Sequence, residues 1–130
     1  MNVGIIGAGL QGKRRSDAIK QLKGHQLAIV ADVDINRAKT LAEEAHCKAT
    51  DSWEDVTKSR DVDAVIVCTP TYLHFPMSLS AIANGKHVLC EKPLGISPAE
   101  AEKIMKASQD SSIVLGVGLN HRFHPAVRKA

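Results

Sequence analysis

Three glycines in six residues, Gly7-Ala8-Gly9-Leu10-Gln11-Gly12, stand directly behind the apolar, β-branched run 3–6. A G-x-G-x-x-G placed between a strand and a helix is the layout of a loop that cradles a pyrophosphate. Gly7 permits the tight turn, Gly9 lets the backbone approach the phosphates, and Gly12 lets the helix pack close to the strand. Ala8, Leu10 and Gln11 complete that binding segment. The helix N-terminus behind it offers unpaired N–H groups and a partial positive charge. Asp32 follows Gly12 by twenty positions, at the end of the second apolar run. A carboxylate there accepts hydrogen bonds from both hydroxyls of an adenosine ribose and repels a 2′-phosphate. Together these features point to a dinucleotide, with NAD favoured and NADP still open. Arg37, five residues on, is either a partner for a 2′-phosphate or a solvated helix charge.

Thr69-Pro70, Glu91-Lys92-Pro93 and Asn120 each fall just past a further apolar run. In an open parallel α/β sheet, that rim is where ligands sit. Thr69-Pro70 brings a hydroxyl and a rigid backbone beside a pyrophosphate or nicotinamide ribose. Lys92 is the chief candidate for chemistry: beside a bound cofactor an ammonium holds and orients a substrate hydroxyl and assists proton movement. Glu91 either pairs within the surroundings of Lys92 or touches the cofactor ribose. Lys13-Arg14-Arg15 reads as an exposed face of the first helix rather than added attraction for a dinucleotide. His121 and His124 have no acid or cysteine at ligand spacing, so no metal site is expected.

These residues need elements to carry them. Apolar β-rich runs at 3–6, 26–33, 48–49, 64–68, 87–90 and 113–117 alternate with stretches of helical period. The helices are expected at 10 to about 22, 36 to about 46, 52–56, 73 to 84 and 97 to about 108. In the first, Leu10, Ala18, Ile19 and Leu22 share a face, and Gly24 closes it. Ser52 is a candidate N-cap, and Ser97-Pro98-Ala99-Glu100 reads as a capping box with Pro at the first helical position. The run Ala-Val-Ile-Val-Cys over 64–68 is continuous enough for a central strand buried on both faces, and Pro70 stops it. The expected fold is α/β, a doubly wound parallel sheet of about six strands with helices on both faces.

Composition narrows the function. The chain of 130 residues carries 17 Lys+Arg against 14 Asp+Glu, a net charge of +3, and only one Trp, one Tyr and two Phe. That leaves neither a concentrated basic face nor stacking platforms for nucleic acid. No run approaches the length of a membrane span, and the N-terminus has no basic segment or cleavage site. Cys47, Cys68 and Cys90 lie far apart, and three unpaired cysteines fit a reducing, cytoplasmic setting. All three read as structural or incidental.

Taken in order, Cys68-Thr69-Pro70, Glu91-Lys92-Pro93 and Gly118-Leu119-Asn120-His121-Arg122-Phe123-His124-Pro125 resemble the Gfo/Idh/MocA family of glucose–fructose oxidoreductase-like and inositol dehydrogenase-like enzymes. The resemblance runs through essentially the whole chain and implies a Rossmann domain over 1–120. Residues 121–130 then start a connection to a substrate domain, an α+β unit that this sequence does not contain. It implies a role for Lys92 at the reacting hydroxyl, a cis bond before Pro93, and a rim position for His74. That histidine reads equally as a solvent-facing residue in the first turn of a helix. Asn120 and Arg122 fix the nicotinamide end or the join between domains, and Arg122 equally serves an ion pair. The family implies NAD(P), a sugar or polyol substrate, and homo-oligomers formed through the absent domain. The chain by itself is expected to bind cofactor without turnover. Two other readings are a dinucleotide-sensing regulator without turnover and a methyltransferase using S-adenosylmethionine. Lys92 has no task in either.

Overall fold

A computed structural model describes residues 1–120 and 125–128. The chain alternates strand and helix throughout. The strands are β1 (Asn2–Ile6), β2 (Gln26–Ala31), β3 (Lys48–Thr50), β4 (Ala64–Val67), β5 (His87–Cys90) and β6 (Leu115–Val117). The helices are α1 (Leu10–Lys20), α2 (Ile35–Ala45), α3 (Trp53–Lys58), α4 (His74–Ala83), α5 (Pro98–Gln109) and α6 (Pro125–Arg128), with a 3-10 turn at Thr71–Leu73 leading into α4. All strand pairings are parallel, in the order β3-β2-β1-β4-β5-β6. The order reverses direction between β1 and β4, and ligands of such sheets bind outside the carboxyl ends of the strands at that switch point.

Side chains alternate across the sheet and feed two cores. Val3, Ile5, Val30 and Ile66 pack with Ile19 of α1 and Ala38, Leu41 and Ala42 of α2. On the other face Ile6, Val65, Val67, Val88 and Cys90 pack with Val56 of α3, Met77 and Ala81 of α4, and Ile104 of α5. The expected doubly wound sheet is therefore what forms. Val65 and Val67 are fully buried, as the run over 64–68 predicts, and both flanking strands pair with β4.

Several local expectations are corrected. The second strand stops at Ala31, two residues short of Val33, which is 90% exposed. The buried face of α1 is Gly12, Ser16 and Ile19, whereas Leu10 and Leu22 are exposed. This helix is docked by its smallest residue, so a search for an apolar stripe reads the wrong side. It ends at Lys20, and Gly24, with φ of 79°, serves the turn into β2 instead of closing the helix. Asp34 caps α2 by accepting from the Asn36 N–H at 3.0 Å. Ser97 caps α5, accepting from the Glu100 N–H at 3.3 Å, but the Glu100 carboxylate reaches back to the Ile96 N–H at 3.0 Å rather than to Ser97 itself. Ser52 precedes α3 without a side-chain cap; its hydroxyl donates to Glu54 at 3.0 Å. Among the described residues, no helix is long and apolar enough to cross a membrane.

Candidate functional site

The glycine loop turns at Gly7, whose φ of 99° lies where side chains are strained, and a Cβ there would stand 2.7 Å from the Cys68 carbonyl oxygen. Its N–H donates to the Ala31 carbonyl at 2.7 Å, which seats the loop between the ends of β2 and β4. Gly12 closes the arrangement from the helix side: a methyl group there would sit 2.0 Å from the Gly7 carbonyl oxygen. Only hydrogen fits. At Gly9 the opposite holds, since a methyl would meet nothing within 4 Å. Gly9 needs no small residue for the sake of the protein, so the free space beside it lies open to a ligand.

Asp32 is bound into this loop. Its Oδ2 accepts from the Ala8 N–H at 2.7 Å, and its Oδ1 accepts from the Asp34 N–H at 2.9 Å. A carboxylate offers about four acceptor positions. Each oxygen thus keeps lone-pair capacity for a ribose hydroxyl while its first contact fixes the loop. Arg37 lies 3.5 Å from Asp34 as an exposed ion pair. A cleft of about 240 Å³ opens here, lined by Gly7, Gly9, Asp32, Arg37, Thr69 and Pro70. Val33, Asp51, Trp53, Leu73 and Met77 line it as well. The structure thus gathers six of the expected residues in one place. Ala8 is half-buried at its edge, and Leu10 and Gln11 are exposed at the start of α1.

Asp51 and Trp53 were not among the expected site residues. Both follow the short strand β3, and the reasoning that favoured residues beyond β2 and β4 applies equally to them.

Lys92 and Asn120 are exposed beyond the ends of β5 and β6, outside that cleft but on the same rim. The Lys92–Pro93 peptide is cis. His74 is neither a cofactor-facing rim residue nor a solvent-facing one, because it is buried to 1% exposure. Its ring spans two loops, with Nδ1 2.7 Å from the Pro93 carbonyl oxygen and Nε2 2.8 Å from that of Thr69. His74 therefore supports the rim from below.

Within the basic run after the loop, Lys13 and Arg14 are exposed as expected, and Arg15 is the exception. Lys13 bonds to Glu44 of α2 at 2.5 Å, which raises the Lys13 pKa and lowers that of Glu44. Arg15 turns inward to Glu91. Burial, with the Glu91 charge adding to it, pushes the Cys68 thiol up to about 12, and burial likewise pushes Cys90 up to about 11. Both stay as neutral thiols near neutral pH, in keeping with a packing role. His121, Arg122 and His124 lie outside the described residues. Among the described residues, no group of three or more His, Cys, Asp or Glu side chains is placed to hold a metal ion.

Residues 1–119 match the model of the Gfo/Idh/MocA family, described as an oxidoreductase family with an NAD-binding Rossmann fold. The chain is 37% identical over 128 residues to UDP-N-acetylglucosamine 3-dehydrogenase of Acidithiobacillus ferrooxidans, covering 98% of this chain and 40% of that protein. It is 36% identical over 128 residues to 4-carboxy-2-hydroxymuconate-6-semialdehyde dehydrogenase of a Sphingobium strain, again with 97% and 40% covered. The crystal structure of myo-inositol dehydrogenase from Lactobacillus casei, in complex with NAD(H) and myo-inositol, superposes with a TM-score of 0.90 at 27% identity, over 99% of this chain and 39% of that one. The chain thus spans about 40% of the length of the curated relatives it matches.

Proposed function

Because the chain belongs to the Gfo/Idh/MocA oxidoreductase family, with its NAD-binding Rossmann fold, we propose that it is the cofactor-holding part of a dehydrogenase acting on a secondary alcohol of a sugar, polyol or related compound. The observation that carries the reading is Asp32, a carboxylate tied to the glycine loop at 2.7 Å and set in the cleft that runs to Thr69. The open space at Gly9 and the closed one at Gly12 fit a pyrophosphate lying on the loop. Bound NAD supplies the hydride acceptor, which is the part of the chemistry a protein side chain cannot provide.

The chain's own residues do the rest. Gly7, Ala8, Gly9, Leu10, Gln11 and Gly12 present backbone to the phosphates, and Asp32 takes the adenosine ribose. Thr69 and Pro70 border the nicotinamide half, and Asn120 and Arg122 close that end. Lys92 holds the substrate hydroxyl and assists removal of its proton. In this reading residues 1–120 form the cofactor unit and 121–130 lead toward the substrate-bearing part of a longer enzyme. The lengths of the relatives support that division. The names of two of them, a nucleotide-sugar dehydrogenase and a myo-inositol dehydrogenase, support the substrate class. A cytoplasmic setting, and homo-oligomers built through that other part, belong to the same proposal.

Calorimetric titration of the 130-residue chain with NAD, NADP and S-adenosylmethionine tests it. NAD binds most tightly and S-adenosylmethionine not at all. Asp32→Ala removes charge-assisted contacts of about 1.5–3 kcal/mol, so NAD affinity falls about ten- to a hundredfold. NADP affinity falls less, because the same change also relieves repulsion of the 2′-phosphate. Equal losses for both dinucleotides would overturn the ribose assignment.

A further inference from the structure

Arg15 lies one turn into α1, three residues past the last glycine of the loop, and Glu91 immediately precedes Lys92. Their side chains meet although they are 76 positions apart in sequence. The Arg15 Nε donates to Glu91 Oε1 at 2.7 Å, and a terminal guanidinium nitrogen contacts the same oxygen. The side chains are 22% and 11% exposed, so this pair is shielded from water and salt in a way that surface pairs are not. The other carboxylate oxygen lies against the backbone beyond β6. A methyl group on Gly118 would stand 2.5 Å from Oε2 and 3.2 Å from the Glu91 Cα. The backbone completes the grip: the Glu91 N–H donates to Val67 at 3.0 Å, and the Gly118 N–H donates to Cys90 at 2.8 Å. Glu91 is thus held at once by α1 and by the ends of β4 and β6.

A shielded ion pair adds little stability over an apolar pair of similar volume, because both charges lose their hydration. What it adds is geometry, and the planar guanidinium fork holds a carboxylate in one orientation as a lysine ammonium does not. We propose that Arg15 and Glu91 are positioning residues that set where Lys92 leaves the sheet relative to the glycine loop. The inference rests on the cofactor reading above. Through this link, the helix that receives the phosphates also fixes the direction of the next residue on the substrate rim. Glu91 thus meets Arg15 through Oε1, while Oε2 faces the backbone at Gly118.

The test uses two ligands of the 130-residue chain, NAD and ADP-ribose, which differ only in the nicotinamide. In this proposal the Lys92 side chain borders the bound nicotinamide as well as the substrate hydroxyl, so Arg15→Met and Glu91→Gln reduce NAD affinity about tenfold while ADP-ribose affinity changes less than about twofold. Gly118→Ala displaces the carboxylate without removing a charge and produces the same selective loss. Arg15→Lys keeps the charge, gives up the fork and is expected to rescue little; it also serves where Arg15→Met fails to fold. Combined with Lys92→Met, Arg15→Met adds no further loss, because the two act in series. Equal losses for both ligands, additive losses in the double variant, or no loss at all would overturn the proposal. A wild-type chain that binds neither ligand would instead overturn the cofactor reading.

Discussion

At the scale of single residues, several side chains prominent in the sequence work by holding backbone. The distance of Asp32 from Gly12 marked it as a candidate ribose acceptor, but its bond to the Ala8 N–H was not legible, because that contact depends on how the loop folds back over β2. His74 shows the same limit more strongly. A histidine at the start of a helix reads as a rim group, yet its ring lies beneath the rim between two carbonyl oxygens 2.7 and 2.8 Å away. One acceptor, Thr69, lies five residues before His74, but the other, Pro93, lies nineteen residues after it, and no local pattern announces that contact. His74→Ala would take the ring away from two part-buried carbonyl groups and open a cavity where a side chain of 1% exposure stood. The expected cost is about 3 kcal/mol of stability, read as a shift in the urea unfolding midpoint. NAD affinity falls with it, because Thr69 loses its support. A midpoint within about 0.5 kcal/mol of the wild type would show that the two bonds contribute nothing net.

At the scale of elements, the glycine loop and α1 separate two demands that a motif merges. Gly12 serves packing, whereas Gly9 is left open by the protein and is the position the proposed cofactor needs small. Gly12→Ala forces a methyl into a space 2.0 Å from the Gly7 oxygen, so α1 must move away from β1. Overpacking of this kind costs about 1–3 kcal/mol, and the thermal midpoint falls accordingly. Gly9→Ala meets nothing within 4 Å, and the backbone there, with φ of −73°, suits alanine. Its stability stays within about 0.5 kcal/mol of the wild type while NAD affinity drops at least about tenfold. The two variants therefore part company: one is destabilised, and the other is stable but binds poorly. Strand positions were readable because β-branched runs buried on both faces leave few other readings, and β5 falls where its run predicts. The face of α1 was not readable. Docking through Gly12 and Ser16 produces no apolar stripe, and the inward turn of Arg15 looks like any basic helix surface until Glu91 is placed beside it.

At the scale of the whole molecule, the parallel sheet follows from the alternation of apolar runs and helical stretches, and its strand order brings residues from six separate segments to one rim. The substrate is not legible at this scale, since the relatives that share this unit carry names with chemically different substrates. The sheet does dictate how the molecule responds to alkali. Cys68 directly follows β4 and Cys90 ends the adjacent β5, on opposite faces of the sheet, and burial raises their thiols from 9.0 to about 12 and about 11. The folded state then holds two protons that the unfolded chain releases above about pH 9. Their contribution to stability is complete below that pH and is lost as pH rises toward 11 and 12. Urea midpoints should therefore be insensitive to these thiols below about pH 8 and should decline through about pH 10.5. Cys68→Ala removes the larger of the two shifts, so its midpoint falls less steeply over the alkaline range while running parallel to the wild type at neutral pH. Identical alkaline slopes for the two proteins would mean that the Cys68 thiol is not held in its neutral form by the sheet.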